Sequence, residues 1–160
     1  MTARDPHVLG PGLAPTPFTA DEIREGCRPG RFVTTEATVD GQTTRSTNRY
    51  LSADDEGGDF EHTVLDSAGA VVEREVGRVT WAELQSHAAF PTDRTTVEPV
   101  RLDTPMGPAD CLLYTVTEGP ATRRFWFDTG RPGMPVRVET EEAGVVTAVR
   151  AVVADERRTP

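Results

Sequence analysis

From residue 31 onward the chain alternates apolar and polar residues with a period of two, which is typical of half-buried antiparallel strands. Pairs such as Asp40-Gly41 and Ala143-Gly144 separate neighbouring runs, and their glycines supply the positive φ that tight hairpins need. The pattern therefore predicts a meander of sequential hairpins. The predicted strands span residues 31–39, 43–53, 59–66, 71–79, 95–102, 109–117, 121–128, 135–141 and 145–153.

Two segments depart from this alternation and carry the signals of a helix start. Thr19 with Glu22 matches a capping box, in which a hydroxyl and a carboxylate satisfy the first free amides of a helix. This pattern predicts a short helix that ends near Gly26. A second capping box, Thr80 with Glu83, predicts a helix over residues 80–90.

The second helix has one apolar face, because Trp81, Leu84 and Ala88 recur at helical spacing. We expect this face to lie against the sheet. The resulting fold class is mostly β (α+β): a curved antiparallel sheet or half-barrel of about nine strands with two short helices, one packed on the concave face. A chain of 160 residues is long enough for one such domain.

Both ends of the chain differ in composition from the strand-rich part. Four prolines and two glycines within residues 1–17 exclude a regular element and predict an extended N-terminal arm. We expect a single β-rich domain over residues 18–154 and a disordered tail over residues 155–160.

The charge balance excludes one class of partner. Acidic residues outnumber basic ones by 26 to 17, and the formal net charge is -9. Nucleic-acid binding needs a basic face that displaces counterions from phosphates, so we expect no nucleic-acid partner.

The N-terminus and the cysteines bear on location. No apolar run follows Met1, so we expect neither a signal peptide nor a membrane-spanning helix, and we predict a cytoplasmic protein. The two cysteines, Cys27 and Cys111, lie far apart without a Cys-x-x-Cys spacing. They are interpreted as buried thiols.

Metal and cofactor motifs are missing from the sequence. The three histidines, His7, His62 and His87, form no His-x-His, His-x-x-x-His or Glu-x-x-His pattern, so no metal site is predicted. Glycine-rich phosphate loops and a Gly-x-Ser-x-Gly elbow are also missing. We expect no cofactor.

The stretch RRFWFDTGRPGMPVRVE places an aromatic residue on each face of one strand. By alternation Phe125 and Phe127 share one face, and Trp126 shares the other with Arg124. These rings are typical of cross-strand packing in a core, and they also suit a concave ligand site. The residues predicted to line such a site are Trp81, Leu84, Tyr114, Arg124, Phe125, Trp126 and Phe127.

The C-terminal block, VRLDTPMGPADCLLYTV followed by RRFWFDTGRPGMPVRVE, resembles small bacterial domains of unknown function. Those domains are similar in outline to the curled half-barrel of the periplasmic lipoprotein carriers, whose concave face holds acyl chains. The resemblance covers residues 97–153, about one third of the chain. It implies a half-barrel with a concave binding face, and it carries over no catalytic residues.

Three functions remain open from the sequence. The favoured one is non-enzymatic binding, either of a small apolar or amphipathic ligand beneath the second helix or of a protein partner. The alternative is a cavity-type isomerase or cyclase that uses His62 with Asp128 or Glu139 as an acid-base pair. The third is a structural subunit of a homo-oligomer or larger assembly, in which the N-terminal arm straps onto a neighbouring copy.

Overall fold

One open sheet of nine antiparallel strands organises the chain in the computed structural model, which describes residues 4–158. The strand order across the sheet is β4-β3-β2-β1-β9-β8-β7-β6-β5. The elements are α1 (Ala20–Gly26), β1 (Arg31–Val39), β2 (Gln42–Ala53), β3 (Gly57–Leu65), β4 (Val71–Thr80), α2 (Trp81–Ser86), a 3-10 turn (Thr92–Arg94), β5 (Thr95–Thr104), β6 (Gly107–Glu118), β7 (Ala121–Asp128), β8 (Arg137–Glu142) and β9 (Val145–Arg157).

The sheet consists of two meanders whose chain-terminal strands pair with each other. Strands β1 to β4 form one meander and β5 to β9 the other, and β1 pairs with β9 over residues 31–39 and 148–157. The sheet does not close on itself, because β4 and β5 are its two edges. The predicted fold class is therefore confirmed, and all nine predicted strands are present.

The hairpin chemistry behaves as the sequence predicts. At the turn between β1 and β2, Asp40 and Gly41 have φ values of 50° and 79°. At the turn between β8 and β9, Ala143 and Gly144 have φ values of 51° and 80°. Two consecutive positive φ angles are the geometry of a type I′ turn, whose twist matches that of the adjoining strands.

Both capping boxes are present, and one helix is shorter than predicted. The Thr19 and Thr80 hydroxyl oxygens accept hydrogen bonds from the amides of Glu22 and Glu83, at 3.2 and 3.1 Å. Helix α2 ends at Ser86, whereas the sequence predicts helix over residues 80–90. After Ser86 the amides of Ala88 and Ala89 donate to the carbonyls of Gln85 and Ser86, which is a tighter turn than the α-helix. Pro91 disfavours helical backbone only at Phe90.

The core lies on the concave face of the sheet, beneath α1 and α2. The Tyr114 and Phe127 rings pack edge to face with centroids 5.4 Å apart, and Phe18 meets Phe127 in the same way at 6.2 Å. Phe90, just beyond α2, packs on Phe125 at 4.8 Å. These aromatic contacts bury the inward face of β6 and β7, which is the core interpretation of the aromatic stretch.

A buried ion pair joins four parts of the fold. The Arg31 guanidinium donates two hydrogen bonds to the Asp155 carboxylate, from Nε at 3.1 Å and from Nη2 at 2.8 Å. Its Nη1 donates to the carbonyl oxygens of Gly26 and Pro132, at 3.1 and 2.6 Å. The two charged side chains are 6% and 8% exposed. The cluster thus ties β1 to β9, to the end of α1 and to the loop after β7.

The N-terminal arm packs against its own chain. The amide of Ala14 donates to the Phe90 carbonyl at 2.8 Å, and Leu13 forms a β-bridge with Pro91. The Gln85 side-chain amide, from α2, donates to the Pro6 carbonyl and to the Thr16 hydroxyl, at 2.8 and 3.0 Å. The arm therefore covers one side of α2.

The C-terminal end differs from the prediction of a tail that starts at residue 155. Residues 155–157 belong to β9, because they continue its pairing with β1. The Asp155 carboxylate also binds the Arg31 guanidinium, which holds this end of the strand in place. Residues 159 and 160 of the predicted tail lie outside the described residues, as do residues 1–3 of the predicted arm.

Both cysteines are free and buried, as predicted. Burial raises the pKa of the Cys27 thiol, against the opposing effect of the nearby Arg31 cation. Burial, with a smaller effect of the Asp128 carboxylate, raises the pKa of Cys111 to about 11. Both thiols are thus protonated at neutral pH and unreactive in the folded protein.

We expect Arg31→Met to lower the free energy of unfolding by about 3–5 kcal/mol, because it leaves the Asp155 carboxylate buried without its main cation. Denaturation by guanidinium chloride measures the change. Arg101→Met is the control, since the pair of Arg101 with Asp110 is exposed and is worth at most about 1 kcal/mol. Equal losses in the two variants would contradict a special role for Arg31.

We expect neither thiol to react with Ellman's reagent in the folded protein at pH 8, since Cys27 and Cys111 are 0% and 2% exposed. In denaturing guanidinium chloride both thiols of the chain should react. Prompt labelling of the native protein would show that at least one thiol is accessible.

Candidate functional site

A cleft of about 290 Å³ opens on the concave face between α2 and the β2–β3–β4 side of the sheet. Its floor and one wall are apolar, formed by side chains from the strands, from α2 and from the loop between β7 and β8. The lining residues are Asn48, Tyr50, Phe60, Val79, Leu84, His87, Gly133, Met134, Pro135 and Arg150.

The floor of the cleft is set by strand pairing. Tyr50 on β2 lies directly opposite Phe60 on β3, so both rings point to the concave face. Tyr50 is 8% exposed, and burial, with a smaller effect of the neighbouring Cys27, raises the pKa of its hydroxyl. The hydroxyl is therefore neutral at physiological pH, and the floor carries no charge.

The rim of the cleft is polar and carries one cation. Arg150 points inward from β9, because it is paired with Val138 of the buried face. Among residues 4–158 it has no carboxylate within 4.0 Å, unlike most arginines of the sheet. Asn48 adds an amide to the rim, and its Oδ1 atom lies 2.9 Å from Nδ1 of His62. The rim can thus bind an anionic group next to an apolar floor.

The position of α2 over the cleft depends on Trp81. This ring is 3% exposed and its Nε1 donates a hydrogen bond of 2.8 Å to the Asp54 carbonyl. A Cβ atom at Gly58 would lie 2.9 Å from the Trp81 ring and 2.8 Å from the Ser52 carbonyl oxygen. The indole thus needs glycine beneath it, and α2 covers the concave face as the sequence predicts.

Of the seven residues predicted to line a ligand site, the structure brings one to the cleft. Leu84 lines it. Tyr114, Phe125 and Phe127 are buried in the aromatic core with Trp81, and the Tyr114 hydroxyl donates to the Pro15 carbonyl at 2.6 Å. Burial raises the pKa of Tyr114 to about 12.

The other two predicted lining residues lie on the convex face. Arg124 pairs with Glu141 at 2.6 Å, and the Arg137 guanidinium lies over the Trp126 ring at 5.8 Å. Alternation along β7 accounts for this, because Arg124 and Trp126 point away from the face that carries Phe125.

The structure does not bring together the predicted acid-base pairs. His62 is on the concave face, bonded to Asn48. Glu139 is on the convex face and accepts hydrogen bonds from Arg137 at 3.0 and 2.7 Å. Asp128, at the end of β7, accepts from the Gly130 amide at 2.9 Å and lies 3.4 Å from Arg131. Neither carboxylate is a partner of His62.

Sequence reasoning missed most of the cleft. Arg150 could have been predicted from the sequence, because it is the single charged residue at an inward position within the apolar run of β9. Met134 and Pro135 lie in the Gly-rich loop that the sequence marks, without a sign of what they face. Tyr50 and Phe60 could not have been predicted in this way, since the face of the sheet to which they point depends on the register between β2 and β3.

Metal ligation and membrane spanning are the next two properties of the described chain. Within residues 4–158 no group of three or more His, Cys, Asp or Glu side chains is placed to hold a metal ion. No helix of the described chain has the length and apolar character needed to cross a membrane.

The fold has relatives among solved structures, whereas no protein-family model and no curated protein matches the sequence. A Bacteroides fragilis protein with a YmcC-like fold, predicted to be exported, matches with a TM-score of 0.50 and 11% identity. The match covers 81% of this chain and 97% of that protein.

MucB also has this fold. Its structure in the Pseudomonas aeruginosa MucA/MucB complex matches with a TM-score of 0.60 and 14% identity, over 85% of this chain and 54% of MucB. A second structure, MucB with MucA(peri), gives the same TM-score and identity over 86% of this chain. The chain thus spans about half the length of MucB. These matches support the half-barrel outline at the level of the fold.

The predicted cytoplasmic location is wrong by this comparison, since the Bacteroides fragilis protein that shares the fold is described as exported. The prediction relied on the missing apolar run after Met1. A signal peptide is removed from a mature exported chain, so the first residues of a sequence are a poor guide to location.

We expect Gly58→Ala to displace the Trp81 ring and to lower the free energy of unfolding by about 1–3 kcal/mol, because the added methyl group overpacks the site. Tryptophan fluorescence should shift to longer wavelength. Gly130→Ala is the control, since its nearest contact would be an ordinary 3.4 Å. An unchanged spectrum in Gly58→Ala would contradict the close packing of the Trp81 ring on Gly58.

Proposed function

We propose that this chain is a non-enzymatic protein-binding domain that acts in an exported or periplasmic setting. In this proposal one apolar side chain of the partner enters the concave cleft, and a neighbouring carboxylate of the partner binds Arg150. The observation that carries the proposal is the preformed cleft, in which an uncharged floor adjoins a cation without a carboxylate partner in the described chain.

The size of the cleft favours a protein partner over a whole lipid chain. Pockets that enclose small molecules usually measure roughly 300–1,000 Å³. A volume of about 290 Å³ lies at the lower end of that range. The cleft can hold one large side chain, while the remainder of a longer ligand would stay in solvent.

The structural neighbours support the same class of function. MucB, which shares the fold, has been solved in complex with the protein MucA. The other two hypotheses gain less support. The predicted acid-base pairs lie apart, and the arm that would strap a neighbouring copy is bound to its own α2.

A library of random 12-residue peptides displayed on phage tests the proposal against the purified domain. We expect the selected peptides to share a large apolar residue next to Asp or Glu. Leu84→Trp should fill the cleft and weaken their binding at least tenfold, measured by fluorescence polarisation. Leu51→Trp is the matched control, because Leu51 is exposed and outside the cleft.

The cationic rim is tested with the same peptides. Arg150→Ala should weaken the acidic peptides about tenfold, whereas Arg124→Ala on the convex face should leave them unchanged. Peptides that bind all four variants equally would contradict the proposal. So would a failure to select peptides together with saturable binding of a dansyl-labelled fatty acid, which would favour the small amphipathic ligand.

A further inference from the structure

Strand β4 is an edge of the sheet and is exposed along most of its length. All residues from 71 to 76 are exposed, and Val71, Val72 and Val76 are 57%, 63% and 60% exposed. Within residues 4–158 no strand pairs with its outer side. Its outward amides and carbonyls are therefore available to a further strand.

Strand β4 has few of the features, such as proline and outward-pointing cations, that usually prevent an edge strand from pairing with another chain. The other edge, β5, contains Pro99, which cannot donate to a further strand. Residues 71–80 contain no proline. The two cations of β4 lie back over the sheet, because Arg74 binds Glu61 at 3.0 Å and Arg78 binds Asp54 at 2.5 Å. They are thus poorly placed to repel an incoming strand.

The two faces of β4 differ in chemistry. Val79 lines the concave cleft, so alternation puts Glu75 and Glu73 on the concave face as well. Among the residues that the structure describes, neither carboxylate has a basic group within 4.0 Å. Val76 lies on the convex face between Arg74 and Arg78. A strand added at this edge would lie beside the carboxylates of Glu73 and Glu75 on the concave face and beside Val76 on the convex face.

We propose that the β4 edge binds an extended segment of a partner protein as a tenth strand of the sheet. The complementary segment alternates Lys or Arg, facing Glu73 and Glu75, with aliphatic residues, facing Val76. This surface consists of residues 71–76, none of which lines the cleft, although Val79 further along β4 does. Either site can therefore fail without the other.

Charge disfavours a second copy of the chain as the occupant. Two β4 strands related by a two-fold axis would pair antiparallel about a central residue. Centring on Glu73, Arg74 or Glu75 puts that charged residue opposite its own copy, and centring on Val76 puts Arg74 opposite Arg78. Centring on Gly77 avoids like charges, but it pairs only residues 74–80 and leaves the exposed residues 71–73 without a partner. Like charges opposite one another destabilise strand pairs.

The probe is a ten-residue peptide of alternating Lys and Val, the length of β4. We expect it to bind and to slow amide hydrogen exchange within residues 71–79. The same peptide with an N-methyl group on every residue should not bind, because neither of its edges can then donate ladder hydrogen bonds. A peptide of alternating Glu and Val should bind more weakly, because its acid would face either Glu73 and Glu75 or the cations Arg74 and Arg78, which are already paired with Glu61 and Asp54.

Charge-reversal variants distinguish binding at the β4 edge from attraction to the overall negative charge of the chain. Glu73→Lys with Glu75→Lys should weaken the Lys-Val peptide roughly tenfold. Glu98→Lys with Asp103→Lys changes the net charge equally on the other edge strand and should have less than a twofold effect. Val76→Pro should also abolish binding; if it does not fold, the charge-reversal pair still decides the matter.

Four results would overturn the inference. One is equal weakening in both double variants, which would show attraction to the overall negative charge. Another is full binding of the N-methylated peptide, which would exclude strand addition. The third is a concentration-dependent dimer, seen by sedimentation, that Val76→Lys dissociates. Loss of Lys-Val binding in Leu84→Trp would instead assign the peptide to the cleft, and would likewise refute the edge site.

Discussion

The bidentate pair of Arg31 with Asp155 is the constraint on which the rest of the structure depends. It lies where the first and last strands meet at the centre of the sheet, and its remaining donors bind the end of α1 and the loop after β7. Each of the three nitrogens of the buried guanidinium therefore donates to at least one oxygen, which offsets much of the cost of removing the charge from water. Because the loop after β7 also supplies Met134 and Pro135 to the cleft, the ion pair fixes one wall of the candidate site.

The two ends of the concave face are filled to different degrees, and this difference creates the site. Aromatic rings from β6 and β7 pack beneath Phe18 and Phe90 and form the core at that end. On the β2–β3–β4 side the short α2 helix covers only the area near Trp81, and the sheet beyond it is open. Leu84 in α2 and His87 just after its end both line the cleft, so the last turn of this short helix forms part of the candidate site.

Local chemistry in the sequence predicts most of the fold and little of the site. The strands follow from alternation, the hairpins from Asp40-Gly41 and Ala143-Gly144, and the helix starts from the capping boxes, all of which act within a few residues. The cleft joins β2, β3, β9 and α2, and the pairing of β9 with β1 spans almost the whole chain. No local pattern encodes that pairing, so the aromatic strand attracted the site prediction although its rings fill the core. Leu84 was found because it belongs to a helix whose facing could be predicted.

Pairing of the first and last strands also determines the order in which this chain can fold. During synthesis β1 emerges more than a hundred residues before β9, so its inner edge stays unpaired until β9 has been made. Each meander can form its own local hairpins early, but docking of the two halves requires closure of a very long loop. That late step makes contact order, more than the stability of single hairpins, the determinant of the folding rate. Until the two meanders dock, the strand that lies at the centre of the finished sheet therefore carries an unpaired edge.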